Sequence, residues 1–510
     1  MKTYIIGADI GTQSIKVHLY DEKLKLVRAV SKEQYVDTPK PMWMTQRASS
    51  WWKLLTESIR QLLSEAGISG KEVAAFGCCA HMHGAVPVRL DGSIVQDDIQ
   101  LYSDKRGGYL ADKIAEEMTD ELYGISANMP TSSWHGIKIK WLKENEPDVY
   151  EKAEKFLTPK DFINFKMTGE TCTDYSEAAG VFAMDQRTGE WSDRLLAVLG
   201  IDREKLPRIQ KAYDIVGNVS EKAAAETGLS RETVVITGGG DMLSMLYVSG
   251  MHKKGTVADI TGTGGIICGY TDQPVMDRRI MNLRHVLDGW VPFGNIDAAG
   301  VSFRFLRDNL CKKERDEARS QGIDDYAYLC RLAQKVQAGS SGLYFLPYLM
   351  GERTMGSADS RGCYIGMSMD KEIGHFIRAL LEGVALEFKR TLDVFEDSGN
   401  TIHAVYHSGG GAKGDLWNQI KADIYEKPIY TLQADEGGVL GVSLMAAYAV
   451  GIIGDLIEGA DAVVKVKKVY EPDRDNFAVY REMKEVFSEL HDTLQTPFRH
   501  MARVQEKFGK

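Results

Sequence analysis

The 510-residue chain is short of the features that mark several classes of protein. Its seven cysteines, at 78, 79, 172, 268, 311, 330 and 363, are odd in number and form no C-x-x-C pair, so neither a disulfide framework nor a cysteine zinc site is expected. Positive charge is not in excess: 62 Lys plus Arg face 72 Asp plus Glu, and the net charge of −10 argues against a basic nucleic-acid-binding face. Low-complexity tracts and Pro-, Ser- or Gly-rich linkers are missing. The start, MKTYIIGADIG, meets Asp9 before a signal-peptide core can form, so a cytoplasmic location is expected. Gly437 to Gly454 is uncharged, but its five glycines and one serine read as a tightly packed buried helix rather than a membrane span. No G-x-x-x-x-G-K-[ST] occurs, since Gly70-Lys71 is followed by Glu72, and this excludes the P-loop.

What is present is an ordinary soluble balance, 44% apolar and 26% charged, over a length that allows two to four domains. One short pattern repeats. Strand-like Tyr4 to Asp9, a Gly11-Thr12-Gln13-Ser14 turn and strand-like Ile15 to Tyr20 return downstream as Thr256 to Ile260, Thr261 to Gly265 and Ile266 to Tyr270. Both copies enter the turn on Asp-Ile, at Asp9 and Asp259, so the chain reads as two related halves. Alternating runs, such as helical Ser50 to Glu65, strand-like Val73 to Cys79 and helical Ile137 to Glu144, predict an α/β class. The expected domains are 1–250, 251–473 and a helical tail 474–510, whose Phe477, Tyr480, Met483, Val486 and Phe487 stand at helical spacing.

Glycine turns after strands let backbone N–H groups approach a phosphate with no Cβ in the way. Three fit: Gly11 to Ser14, Gly262 to Gly265, and Ser408 to Gly414. The third also spells G-x-G-x-x-G at Gly409, Gly411 and Gly414, between a strand-like run and a helical one, with Asp435 at the distance of a ribose-binding acid; on local grammar it is a dinucleotide fingerprint. Val234 to Ile236 leads into Thr237-Gly238-Gly239-Gly240-Asp241 and a helix over Met242 to Val248. Asp241 there is either a helix N-cap or a general base, and three preceding glycines favour a carboxylate reaching into a crowded site. His81-Met82-His83-Gly84 and Ser103-Asp104-Lys105-Arg106 each follow a strand-like run; the histidines lack a third zinc ligand at a familiar spacing and suit a polar substrate loop.

With these residues in hand, the chain resembles the FGGY carbohydrate kinases over nearly its whole length. Gly7 to Thr12 is similar to that family's first phosphate motif, Gly239-Gly240-Asp241 to its catalytic segment, Gly262 to Gly265 to its second phosphate motif and Gly409 to Ala412 to its adenosine motif. Gly362 to Met367 followed by His375 to Glu382 resembles its C-terminal signature at every position. Met82 to Ala85, Pro159 to Phe162, Thr168 to Glu170 and Leu346 to Thr354 look most like the xylulose-phosphorylating members. Three segments depart from the family pattern: His135 replaces a Pro, Ser or Thr in a lengthened 129–138 loop, Trp43-Met44-Thr45-Gln46-Arg47 replaces W-x-E-Q-D, and Ser103 replaces an asparagine.

The resemblance implies an α/β fold of two actin-like, ribonuclease-H-like domains flanking a catalytic cleft, and ATP-dependent phosphorylation of a primary hydroxyl on a ketopentose such as D-xylulose. It implies Asp241 as base and sugar contact, Asp9 as the Mg²⁺ residue, and Thr12, Gln13, Ser14, Lys16, Gly262 and Thr263 around the phosphates. Gly410, Gly411, Ala412 and Asn418 are the implied adenosine side, and Met82, His83 and Asp104 the implied sugar contacts. Ribulose, fuculose, rhamnulose, glycerol and gluconate stay open as substrates, as do a nicotinamide dehydrogenase, a sugar-independent actin-like ATPase and a silent sugar sensor. No nucleic-acid or membrane partner is expected, and a homodimer is left open.

Overall fold

A computed structural model describes residues 3–352, 355–433 and 437–508. Arg353 and Thr354 of the 346–354 motif, and Asp435 of the dinucleotide fingerprint, lie outside the described residues. The chain folds as two compact units: residues 1–252 with 282–291 and 436–464, and residues 253–281 with 292–435 and 465–510. The expected division at 250 and 473 is contiguous, whereas these units exchange two segments.

The first unit is built on a seven-stranded sheet of Tyr4–Ile10 (β1), Ser14–Tyr20 (β2), Leu26–Glu33 (β3), Val73–Ala80 (β4), Ile215–Asn218 (β5), Val234–Ile236 (β6) and Gly239–Gly240 (β7). Its order is β5-β6-β4-β1-β2-β3, with β7 also pairing β4. A second seven-stranded sheet is formed by Thr256–Thr261 (β8), Gly265–Gly269 (β9), Met281–Arg284 (β10), Trp290–Ile296 (β11), Ala404–Ser408 (β12), Ile429–Leu432 (β13) and Val466–Tyr470 (β14) in the order β10-β11-β9-β8-β12-β13-β14. Read from opposite ends, the two orders match over six strands, with β10 an extra edge in the second sheet and β7 an extra strand in the first. In each, an antiparallel hairpin (β1–β2, β8–β9) is flanked on one side by an antiparallel strand (β3, β11). On the other side lie two parallel strands and an antiparallel edge (β4, β6, β5 and β12, β13, β14). The repeated hairpin is thus the visible part of a duplicated sheet. β4 is buried at all eight positions, as a central strand covered on both faces requires.

The uncharged stretch forms the helix Gly437–Ala449, in which ten of thirteen residues are buried. Its glycines serve close packing. A Cβ on Gly7 of β1 would lie 2.7 Å from the Val439 carbonyl, one on Gly77 of β4 2.7 Å from that of Val442, and one on Gly441 2.1 Å from that of Ser244. Among the described residues no helix is long and apolar enough to cross a membrane. In the second unit the 25-residue helix Ile373–Asp397 carries the core, and the C-terminal helix Phe477–Phe508 docks through Tyr480, whose hydroxyl donates to Glu382 at 2.9 Å and accepts from Arg378. Tyr480, Met483 and Phe487 are buried as the spacing predicts; Val486 is exposed, because it falls off the docked stripe.

Gly77→Val forces two backbones apart, and the expected outcome is a loss of about 1–3 kcal/mol, seen as a lower thermal midpoint. Gly124→Ala, at a helical site with nothing within 4 Å, is expected to be neutral or slightly stabilising in the same melt.

Candidate functional site

Asp9 is the last residue but one of β1, and its neighbours across the sheet are Lys16 on β2 and Cys79 on β4. Gly239 of β7 lies beside that same Cys79, and Gly240 beside Ala80, so the short strand delivers Asp241 on the same edge of the sheet, two strands over from Asp9. Gly239 and Gly240 are there for space: a Cβ on the first would lie 2.5 Å from Val286, and one on the second 2.7 Å from the Met82 sulfur. The Gly240 N–H donates to the Ser176 hydroxyl at 3.0 Å, which fixes the approach. Asp241 is the first residue of the helix Asp241–Val248, and the N-cap position is taken by Gly240, not Asp241.

Both carboxyls are held above their ordinary range. Burial, followed by the like charge of Asp9, raises Asp241 to about 7. Burial raises Asp9 to about 6, against the opposing pull of Lys16 and a Cys79 hydrogen bond. Asp9 Oδ1 is buried without a hydrogen-bond partner among the described residues, so a hard cation would find an unspent carboxylate oxygen there. Asp241 near neutrality suits a group that takes a proton at physiological pH.

The first turn is pinned from behind by its carbonyls. Gly11 O accepts from Gln34 Nε2, Thr12 O from Gln46 Nε2 at 2.7 Å, and Gln13 O from the Gln34 backbone at 3.0 Å. In a trans peptide the N–H points opposite the C=O, so the amides of Thr12, Gln13 and Ser14 face the other way, a ready anion nest. The second turn repeats the device. Gly300 N and Val301 N, opening the helix Gly300–Asn309, donate to Gly262 O at 3.0 Å and Thr263 O at 2.9 Å, which turns the Thr263 and Gly264 amides outward. A Cβ on Gly300 would sit 2.1 Å from Gly262 O, so only glycine allows the contact. Lys16 and Gln13 are exposed on the first unit, Gly262 and Thr263 on the second.

The third loop leans on the second turn of its own unit. Gly409 adopts φ 82°, and its Cβ would lie 2.6 Å from Thr261 O; a Cβ on Gly411 would lie 2.7 Å from the Thr261 methyl. Gly410 is exposed with nothing within 4 Å. The unit β12, helix Asp415–Tyr425, β13 is a parallel βαβ crossover, as the fingerprint reading required. Yet the glycine that would admit a pyrophosphate is occupied by Thr261 instead. Asn418, expected at the adenosine side, is fully buried: its Oδ1 meets His407 Nδ1 at 2.5 Å and its Nδ2 donates to Ala412 O at 2.9 Å.

On the sugar side, Met82 and His83 are buried, and His83 stands edge-on to Trp134 at 5.1 Å, with Nδ1 lacking a hydrogen-bond partner. His135 Nδ1 bonds to Gly84 O at 2.8 Å. Asp104 is spent internally. Its oxygens take Arg106 Nε at 2.9 Å, Arg106 Nη2 at 2.7 Å and the Met44 amide at 2.8 Å, and the guanidinium lies 3.6 Å from the Trp43 ring. Burial pushes buried Lys138 down to about 7, and its charge lowers His81, His83 and His135 further than burial alone. Among the described residues no group of three or more His, Cys, Asp or Glu is placed to hold a metal.

Two family models match the chain. The N-terminal domain of the FGGY family of carbohydrate kinases matches residues 4–247, and its C-terminal domain matches residues 257–450.

The chain belongs to the FGGY family of carbohydrate kinases.

As an FGGY chain it is a phosphotransferase with an alcohol acceptor, and it has that family's two-domain kinase fold. It is 29% identical over 492 residues to the xylulose kinase of Bacillus subtilis, covering 96% of each chain. It is 28% identical to the gluconokinase of Bacillus licheniformis, over 100% of this chain and 99% of that protein. The crystal structure of xylulose kinase from Rhodospirillum rubrum superposes with a TM-score of 0.89 at 27% identity, covering 97% of this chain and 100% of that one. Gln34, Gln46 and Gly300, which orient the two turns, escaped the sequence reading. Gln46 alone stood in a motif, and a glutamine's partner 34 residues away leaves no local pattern.

A carboxyl whose folded pKa is raised stabilises the fold below its unfolded value, near 4, and loses that contribution as pH rises through the folded value. Asp241→Asn should therefore melt several degrees above wild type at pH 8, with the gap narrowing toward pH 4 in a calorimetric series.

Proposed function

We propose that this chain is an ATP-dependent kinase that phosphorylates a primary hydroxyl of a ketopentose, D-xylulose first, to give xylulose 5-phosphate. The observation that carries the reading is Asp241: a carboxyl raised to about 7, its Oδ1 accepting from the Met242 amide at 2.7 Å, with no cationic partner at hydrogen-bond distance among the described residues. Its carboxylate takes the hydroxyl proton as the sugar oxygen bonds to the γ-phosphorus and the bond from that phosphorus to the β-bridging oxygen breaks, releasing ADP. The amides of Thr12, Gln13, Ser14, Thr263 and Gly264 stabilise charge on the phosphates, with Lys16 adding a flexible cation. Gly410, Gly411 and Ala412 form the adenosine side. Asp9, through its unspent oxygen, would hold Mg²⁺, which supplies charge neutralisation to the phosphates when bound. Met82 and His83 contact the sugar, and Asp104 serves by holding Arg106 over Trp43. Use of ATP favours a cytoplasmic location for the reaction.

A sugar acid such as gluconate is the second reading. It is favoured by the buried Lys138 among His81, His83 and His135, a cation close to the sugar side, and by the gluconokinase relative. A coupled ADP-release assay over D-xylulose, ribulose, fuculose, rhamnulose, glycerol and gluconate decides. Highest kcat/KM on xylulose is expected; turnover of gluconate alone would reverse the order, and ADP release without any sugar would end both readings.

Asp241→Asn is expected to lose at least about 10³ in kcat while still binding sugar and ADP. In the wild type, kcat/KM should fall as pH drops through about 7, where Asp241 protonates. Asp9→Asn removes the neighbouring like charge, so the acid limb of its residual activity should move to lower pH, and raised Mg²⁺ should relieve part of the defect; an unmoved limb contradicts the charge coupling.

A further inference from the structure

The duplicated hairpins carry aspartate at the same place, but only one of the two is left unspent. Asp259 is fully buried, and its strand neighbours are Ile267 on β9 and His407 on β12, where Asp9 has Lys16 and Cys79. Lys421, from the helix Asp415–Tyr425, reaches Asp259 with Nζ 2.8 Å from Oδ1 and 2.7 Å from Oδ2, and Tyr425 donates to Oδ2 at 2.8 Å. The same ammonium donates to the Thr261 hydroxyl at 2.6 Å, and that hydroxyl donates on to Asp259 Oδ1 at 2.7 Å. It also meets His407 Nε2 at 3.0 Å. Burial and the Lys421 charge push His407 down to about 4, so its neutral ring accepts at Nε2 and donates from Nδ1 to Asn418 Oδ1, whose amide nitrogen donates to Ala412 O.

A single buried ammonium is thereby bonded at one end to Thr261, the residue before Gly262, and at the other, through His407 and Asn418, to Ala412. Gly409 and Gly411 close the gap between the same two segments. Asp259, Thr261, Asn418, Lys421 and Tyr425 are 0% exposed and His407 is 1%, so none can touch a ligand directly.

We propose that Lys421 and Asp259 form a positioning pair that holds the second phosphate turn and the adenosine loop at a fixed spacing for the nucleotide. The pair also neutralises the carboxylate whose counterpart in the first unit stays unpaired. The inference rests on the reading of these two loops as the nucleotide site.

A buried ion pair broken on one side leaves an uncompensated charge, whereas replacing both partners does not. Asp259→Asn and Lys421→Met as single variants are therefore expected to melt well below wild type, and the double variant to recover most of that loss. Positioning predicts that affinity does not recover with stability: the double variant should show an ATP KM about tenfold or more above wild type, with the sugar KM within twofold. Thr261→Val and Tyr425→Phe keep the pair and remove one hydroxyl each; the first should raise the ATP KM about threefold and the second less. An ATP KM within twofold of wild type in the double variant overturns the proposal, and so does a wild-type ATP KM in both single-hydroxyl variants should the double variant fail to fold. Calorimetric titration with ADP separates the layers. No ADP binding by the wild type overturns the nucleotide reading itself, while equal binding by wild type and double variant overturns only the positioning pair.

Discussion

Gly7 and Gly77 let two neighbouring strands lie directly against the carbonyls of Val439 and Val442, and Gly441 does the same toward Ser244, so four segments of backbone touch where side chains would ordinarily intervene. Close backbone approach of this kind fixes positions that side-chain packing would leave adjustable, because a peptide group cannot change rotamer. The sheet edge carrying Asp9 and Asp241 is set by these contacts in the first unit. In the second, Gly300, Gly409 and Gly411 seat a helix end and a loop on the turn at Thr261 to Thr263. The fifty glycines of the chain are therefore not a measure of looseness; many stand where any Cβ would push two main chains apart.

Rigid backbone has an electrostatic use. With a net charge of −10, the chain as a whole repels a polyanion, and attraction must come from local dipoles. Carbonyls held by Gln34, Gln46, Gly300 and Val301 turn successive amides to one face without adding a formal charge. Such donors need no reorganisation when charge develops, which is what a transferring phosphoryl group asks of its surroundings. The two raised carboxyls show the cost: Asp9 and Asp241 oppose each other and their own burial, and the fold tolerates this because the rest of each unit is packed and paired.

The α/β class, the duplicated hairpin, the three glycine turns and Asp241 could all be read from the sequence, since each is written in residues close together along the chain. Helix ends shifted by one or two residues, as with Ala48–Ala66 against the expected Ser50 to Glu65, because fraying ends are set by local capping. What could not be read is long-range. The exchange of 282–291 and 436–464 into the first unit, the glutamine clamps behind the first turn, and the internal use of Asp104 and Asn418 all depend on which distant residue arrives beside them. Motif reasoning assigned Asp104 and Asn418 to ligands because polar residues in motifs invite it. The structure spends both on shaping the segments that carry the motif.

Duplication sharpens that point. A carboxylate at the end of the central strand is inherited by both halves, yet two free copies would serve a phosphoryl-transfer site badly. One unpaired carboxylate is useful where a cation can bridge it to phosphate. A second, unneutralised, would repel each phosphate charge within ~6 Å by about 3 kcal/mol at an effective dielectric near 20. The first half has Asp9 unspent beside a thiol, and in the second a lysine from a neighbouring helix pairs with Asp259. Cancelling the charge with a buried ammonium, rather than losing the aspartate, left a four-way polar junction, and that junction is what joins the turn at Thr261 to the loop at Ala412. The matching position thus carries an unspent carboxylate in one half and a lysine-paired one in the other, which is why similar hairpins need not predict similar chemistry at matching residues.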